Sequence, residues 1–209
     1  MAAQLILATH NQHKVAELRA VMTAALPALA PEEIVGADAV TATEPVEDGL
    51  TFAQNALIKA RSFARLTGLP AIADDSGLSV DVLGGAPGIF SARWAGRHGD
   101  DDANLELLLA QLSDVAQPHR AASFVCAAAL VTPAGEETVE VGRLPGMLLP
   151  ARRGDGGFGY DPIFSPEGHT RSLAEMSAAE KNAISHRGRA FRALAPHVAR
   201  ALGRPSATR

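Results

Sequence analysis

Apolar positions along the chain recur with two different periods, and the switches between them outline the elements. Gln4 to Ala8 is a short apolar run that ends in the polar stretch Thr9 to Lys14, after which Val15, Leu18, Val21, Met22 and Ala25 return at helical spacing. The pattern predicts strand, loop and helix, with Lys14 in the loop. Ile34 to Gly36 starts a second strand, and Ala37 to Gly49 reads as a loop carrying Glu44, Glu47 and Asp48. Thr51 is placed as the N-cap of a helix to about Thr67, since Phe52, Ala56, Ala60 and Phe63 share a face and Gly68 and Pro70 are stop signals.

Pro70 to Ala73 then has a buried-strand pattern, Asp74-Asp75-Ser76-Gly77 interrupts it, and Leu78 to Leu83 is a second apolar piece. Gly84 to Gly88 is a turn-rich break, and Asp100 to Leu112 reads as a helix with acidic residues in its first turn. Ala121 to Val131 is predicted as a central strand that turns at Pro133 to Gly135 into Thr138 to Val141. Arg152 to Gly159 is dense in glycine and runs into Tyr160-Asp161-Pro162. Ser177 and Glu180 form a capping-box pattern opening a C-terminal helical region, with a break near Gly188 and an end near Leu202. Strands and helices interleave without repeat or linker, so residues 1–209 read as a single α/β domain with a mixed sheet.

Composition narrows the class. With 209 residues, 47% hydrophobic and 20% charged, the chain is long enough for a sizeable core and has an ordinary globular make-up. Its longest apolar stretch, Ala121 to Val131, falls short of the roughly 18 residues of a membrane span. The N-terminus lacks the basic and apolar regions of a secretory signal, and the one cysteine, Cys126, excludes an internal disulfide framework and a multi-cysteine zinc site. A cytoplasmic protein is expected. A net charge of −4 gives no reason to expect a nucleic-acid polymer as partner. Within the 19 basic residues, only Lys14, Lys59 and Lys181 are lysine. Lysine is a compact ammonium and arginine a planar fork, so the two are not exchangeable where a point charge meets a phosphate oxygen.

Common nucleotide signatures are absent or out of context. Gly154 to Gly159 satisfies G-x-G-x-x-G, but Pro162, Ile163 and Phe164 follow where a dinucleotide loop would open a helix. No lysine has the glycine spacing of a P-loop. Thr9 to Lys14, between strand and helix, offers free N–H groups, a helix dipole and an ammonium to an anion, or is an ordinary turn capped by Thr9 or Asn11. His10 and His13 read as solvated loop histidines.

Asp74 and Asp75 are more telling. Adjacent carboxylates at a strand end repel each other and call for a proton or a cation, and Mg²⁺ takes one or two carboxylates plus water and phosphate. The alternative is an acidic turn in which Asp75 bonds the next amides. Glu47, just before the Thr51 helix, is a candidate second ligand or a surface group. Phe158 to Asp161 puts an aromatic pair, including the sole tyrosine, in a glycine-rich loop, suited to stacking on a nucleobase or to folding inward as a plug. His186 and Arg187 offer donors to a keto oxygen or phosphate, or form a polar helix face; Trp94 reads as packing.

In this order the segments resemble the inosine triphosphate pyrophosphatase family, which hydrolyses non-canonical purine nucleoside triphosphates. The resemblance runs through Thr9, Asn11 and Lys14; Gly49-Leu50-Thr51-Phe52 with Asn55 and Lys59; Ala73 to Leu78; Leu83 to Gly88 with Ser91 and Arg93; Gly157 to Phe164; and Glu180 to Arg187. It implies an elongated mixed α/β sheet flanked by helices, two lobes with a central substrate cleft, a homodimer, a Mg²⁺ cofactor and pyrophosphate release from XTP, ITP or dITP. Carried onto this chain, Thr9, His10, Asn11, Gln12, His13, Lys14 and Lys59 would hold the triphosphate. Glu47 and Asp75 would bind the metal, with Asp75 also the proton acceptor and Ser76 a substrate contact. Phe158, Gly159, Tyr160, Asp161, Lys181, His186 and Arg187 would cradle the base and its neighbouring groups. His10 stands where glycine is usual. Rival readings are a pyrophosphatase for modified pyrimidine or canonical nucleotides and a non-catalytic nucleotide-binding sensor; the acidic Glu47, Asp74 and Asp75 speak against a pure binder of a polyanion.

Overall fold

The computed structural model describes residues 3–10, 12–40 and 45–205, with the side chains of Gln12 and His13 outside that description. Six strands form one sheet in the order β2-β1-β3-β4-β5-β6. They are β1 (Leu5–Leu7), β2 (Ile34–Gly36), β3 (Ala71–Val80), β4 (Ala121–Val131), β5 (Glu137–Leu148) and β6 (Phe164–Pro166). β1 is parallel to β2 and β3, whereas β5 and β6 run antiparallel, so the sheet is mixed. The helices are α1 (Gln12–Ala25), α2 (Phe52–Thr67), α3 (Asp101–Gln111), α4 (Ala178–Ile184) and α5 (His186–Ala201). Among the described residues no helix is long and apolar enough to cross a membrane.

Contacts divide the chain into two compact units. The first comprises Met1–Asp75, Cys126–Gly142 and Arg187–Arg209, the second Ser76–Val125 and Arg143–His186. In the first unit the two-residue period of the strands sorts side chains into two cores. Leu5, Leu7, Ile72, Cys126, Ala128 and Leu130 pack with Val15, Leu18 and Met22 of α1 and Phe191 and Leu194 of α5. Their sequence neighbours Ile6, Ala8, Ala71, Ala73, Ala127 and Ala129 pack instead with Ala56, Ala60 and Phe63 of α2. Helices thus cover both faces, which is why these strands read as continuous apolar runs. The second unit has its own core, in which Leu78, Val80, Leu105, Leu108, Phe124, Tyr160 and Phe164 meet.

Several boundaries differ from the sequence pattern. α1 begins at Gln12, so Lys14 lies in its first turn; that turn carries no apolar residue to start the period earlier. Asp74 to Gly77 is no turn: β3 runs unbroken from Ala71 to Val80 with both carboxylates buried. Gly77 is a matter of space, since a Cβ there would stand 2.4 Å from Ser91 Oγ and 2.5 Å from the Gly88 carbonyl. β5 extends well past Val141 to Leu148, and Gly146 admits it beside the Phe164 ring, 2.6 Å from where a Cβ would be. The C-terminal helical break falls at Ser185, whose ψ is 148°, and Gly188 is inside α5. Other signals correspond: Thr51 accepts from the Gln54 amide, Gly68 closes α2 with φ of 66°, and Ser177 and Glu180 form a capping box.

Candidate functional site

In the first unit, strand alternation decides the chemistry of the acidic pair. Asp74 and Asp75 are neighbours in β3, so their side chains leave opposite faces of the sheet and meet different helices. Asp74 turns to the α1 and α5 side. Its side chain is fully buried and accepts from Lys14 Nζ at 3.3 Å and from Arg187 Nε at 3.3 Å, and Arg187 in turn reaches Glu17 Oε2 of α1 at 3.5 Å. Asp75 turns to the α2 side and accepts from Asn55 Nδ2 at 3.0 Å. The adjacent carboxylates are therefore not one divalent pair: the pleat gives each its own partners, although Asp74 still repels the charge on Asp75.

α2 brings a second set of polar groups to this face. Lys59, although only 5% exposed, places Nζ 2.9 Å from Glu47 Oε1. Asn55, one turn earlier, also accepts the Gly49 amide at 2.8 Å and so fixes the loop that carries Glu47. Burial disfavours the Lys59 ammonium, but the carboxylates of Asp74, Glu47 and Asp75 outweigh it and hold its pKa above the usual lysine value. For Asp75 burial wins: despite Lys59 and the Asn55 bond, desolvation with added repulsion from Glu47 and Asp74 pushes its pKa up. Both shifts are upward, because the carboxylates of Glu47, Asp74 and Asp75 crowd around the Lys59 ammonium and around one another. Thr9 is buried and donates its amide to Leu7 at 2.9 Å, and the His10 ring tilts against Phe63 at 6.0 Å. Asn11 and the side chains of Gln12 and His13 lie outside the described residues.

In the second unit the glycine-rich loop assembles the other candidates. Lys181 Nζ contacts Asp161 Oδ2 at 2.5 Å and sits 4.6 Å from the centre of the Phe158 ring. Asp161 Oδ2 also accepts the Phe158 amide at 2.9 Å. The loop's aromatics divide between the two roles open to them: Phe158 is 43% exposed, whereas Tyr160 is 4% exposed and donates its hydroxyl to the Ser91 carbonyl at 2.8 Å. Burial, with a contribution from Asp101, keeps that hydroxyl protonated far above the usual tyrosine range. His186 is buried and stacks on Phe124 at 5.0 Å, Ser76 is half-buried, and Trp94 packs on the core while donating to Gln111 at 2.8 Å. The G-x-G-x-x-G stretch opens no α-helix; a single 3-10 turn, Asp161–Ile163, leads into β6.

All three lysines thus hold a carboxylate: Lys14 with Asp74, Lys59 with Glu47, Lys181 with Asp161. Arg187 joins the Asp74 network of the first unit. Three participants escaped the sequence reading of the site. Asn55 had a signal, four residues before Lys59 on the same helix side, and Glu17 stands three after Lys14. The part Asp74 plays in holding Lys14 and Arg187 had none, because its partners come from distant segments.

The mixed sheet, helix-covered on both faces in the first unit, and the buried acids paired with lysines define an α/β protein with a charged polar site. The profile of the Ham1 family matches residues 5–197, and the chain belongs to that family. It is 62% identical over 201 residues, covering 96% of this chain and 99% of the relative, to a dITP/XTP pyrophosphatase of Streptomyces coelicolor. To a dITP/XTP pyrophosphatase of Leifsonia xyli it is 56% identical, covering 97% of this chain and 98% of the relative. Among solved structures, the nucleoside-triphosphatase / dITP/XTP pyrophosphatase of Mycobacterium abscessus matches with a TM-score of 0.76 at 51% identity, covering 92% of this chain and 99% of that one. A HAM1 protein from Coxiella burnetii matches with a TM-score of 0.83 at 39% identity, covering 95% and 99%. The resemblance to inosine triphosphate pyrophosphatases and the mixed α/β architecture expected from sequence are borne out.

Proposed function

We propose that this chain hydrolyses the non-canonical purine nucleoside triphosphates XTP, ITP and dITP to monophosphate and pyrophosphate, with Mg²⁺ as cofactor. The observation that carries the reading is the set of cations held by buried or half-buried acids in the first unit, in a chain whose relatives are named dITP/XTP pyrophosphatases. In this reading Thr9 to Lys14 and Lys59 hold the triphosphate, and Glu47 and Asp75 hold the metal. Ser76 touches the substrate, and Phe158 to Asp161, Lys181, His186 and Arg187 surround the base.

The donor set suits magnesium. Glu47 and Asp75 belong to one unit, and burial and acidic neighbours make the charge on Asp75 costly without a cation. Glu47 and Asp75 would supply the one or two carboxylates that such an ion takes, with water and phosphate filling the rest of its shell. When bound, the ion neutralises phosphate charge and eases departure of the leaving oxygen.

The chain's own residues do the rest. Water attacks the α-phosphorus, its proton passes to the Asp75 carboxylate, and the bond from the α-phosphorus to the bridging oxygen breaks, so pyrophosphate leaves with the electron pair. Burial lifts the pKa of Asp75 toward solution pH, which favours a proton acceptor, and Asn55 fixes its orientation. Lys59, kept protonated, meets phosphate charge. Lys181, poised over the exposed Phe158 ring, is the donor at hand for a 6-keto oxygen, whereas an amino group facing that ammonium would set donor against donor and be disfavoured.

The test is pyrophosphate release from ITP, XTP, dITP, ATP, dUTP and dTTP, with and without Mg²⁺. Release from the first three with Mg²⁺, abolished in Asp75→Asn, is expected. Preference for dUTP or dTTP would reassign the substrate, and ITP binding without turnover would leave a sensor. A homodimer and a single working domain over 1–209 belong to the same proposal, and sedimentation of the purified chain checks the first.

A further inference from the structure

The loop that shows Phe158 is held from outside by a residue to which nothing above assigns a role. Gly159 has φ of 60° and Tyr160 follows with φ of −89° and ψ of 6°, while the Asp161 amide bonds back to the Phe158 carbonyl at 3.3 Å. Those angles belong to a type II′ turn with glycine at its first central position. Such a turn sends its first and third side chains apart, and here they are the exposed Phe158 and the buried Tyr160. The turn does not bond its own Gly159 amide, and that donor goes to Asp101 Oδ2 at 2.9 Å.

Asp101 stands on a firm base. α3 is capped by Asp100, which accepts the Ala103 amide at 3.2 Å, and Leu105 and Leu108 bury its other side. Asn104 takes the Ala95 amide at 2.7 Å, and Arg152 clasps Asp102 at 2.6 Å and Glu106 at 2.9 Å, so the helix is tied to its surroundings along its length. With Asp161 holding the Phe158 amide and Asp101 the Gly159 amide, consecutive N–H groups of the turn are fixed by separate carboxylates.

We propose that Asp101 is a positioning residue for base recognition: by holding the Gly159 amide it sets the turn that presents the Phe158 ring beneath Lys181. This rests on the proposed reading that the loop receives a purine base. Loss of the bond leaves the Phe158–Gly159 peptide held only by the long 3.3 Å bond from the Asp161 amide, so the turn loosens, the aromatic face is less firmly presented and base binding weakens, while the phosphate-side groups of the first unit keep their own contacts.

The test compares wild type with Asp101→Ala, Asp101→Asn and Asp102→Ala in Mg²⁺-dependent ITP hydrolysis, together with ¹⁵N-resolved NMR of the Gly159 amide and ¹³C-resolved NMR of the Phe158 ring. For Asp101→Ala, KM for ITP should rise about tenfold, the scale of one hydrogen bond to a charged group, with kcat little changed. Asp101→Asn retains an acceptor oxygen and should recover most of the loss. Asp102→Ala removes a neighbouring first-turn acid whose exposed pair with Arg152 contributes little, leaves Arg152–Glu106 and Asn104–Ala95 to hold α3, and should keep the wild-type KM. An unchanged KM in Asp101→Ala, a rise matched by Asp102→Ala, or a fall in kcat alone overturns the proposal. If wild type does not turn over ITP, the substrate reading fails on its own account and the spectra decide: Gly159 and Phe158 resonances that move in Asp101→Ala and return in Asp101→Asn uphold the positioning role, and unmoved resonances sink it. Should the alanine variant not fold, the wild-type to Asp101→Asn comparison of the Gly159 amide decides, since a neutral acceptor must shift a bonded amide and leaves an unbonded one in place.

Discussion

Replacing Asp74 by alanine offers a sharp measure of the buried charge network. Its carboxylate is wholly enclosed, and Arg187, with 7% of its side chain exposed, depends on it and on Glu17. Burial works against the Arg187 guanidinium, and the fields of Asp74 and Glu17 are what keep it charged. Removing one partner of a buried ion pair strands the other, which costs about 3–5 kcal/mol. Lys14 is more exposed, at 18% of its side chain, so its lost contact adds less than about 1 kcal/mol. In a chain of 209 residues each kcal/mol lowers Tm by about 2–4 °C, so Asp74→Ala should melt about 6–24 °C below wild type. Thermal unfolding followed by circular dichroism reads this directly. Adding Arg187→Met should recover part of the loss, because the buried guanidinium is gone, while Glu17 loses its partner and limits the recovery. A Tm within about 2 °C of wild type in Asp74→Ala alone would refute the claim that this pair is desolvated and interdependent.

Other consequences follow from the same geometry. Lys14→Arg and Lys181→Arg keep the charge but replace a compact ammonium by a fork, so kcat/KM for ITP should fall by roughly tenfold while Tm moves less than about 3 °C; unchanged turnover would show that point-charge geometry is not needed. Asp75→Asn should abolish turnover yet stabilise the metal-free protein near neutral pH. The pKa of Asp75 is raised in the folded state, so wild type loses stability as pH climbs from the unfolded value near 3.8 through the folded one, and the variant has no such loss. Melting in chelator from pH 3 to 8 should show the gap opening with pH, and a constant gap would count against it. Tyr160, the sole tyrosine, should give no phenolate absorbance at its ordinary pKa near 10 until the protein unfolds, and an ordinary titration would contradict its burial.

Element types were largely legible because both cues are local. The N-cap at Thr51, the glycine stop at Gly68 and the apolar run Ala121 to Val131 each announce themselves within a few residues, and the structure has them there. Asp74 to Gly77 misled for a physical reason. Short polar residues and glycine favour turns when nothing else satisfies them, but here Lys14, Arg187 and Asn55 do, and the strand continues. The site's residue types were readable from the motif blocks, while Asn55 was given no role and Glu17 went unnoticed because their part depends on which face of the sheet their helix covers.

The lysines divide the two kinds of information. Sequence by itself determined that lysine stands at 14, 59 and 181 in a chain that otherwise uses arginine, and that each stands within a block of polar motif residues. Only the tertiary structure decided their partners, because a buried ammonium must find a carboxylate and the candidates lie 60, 12 and 20 residues away, at Asp74, Glu47 and Asp161. It also decided that Asp74 and Asp75, inseparable in sequence, serve different helices. The pleat of β3 turns them to opposite faces, one to steady cations and the other raised in pKa by its own burial.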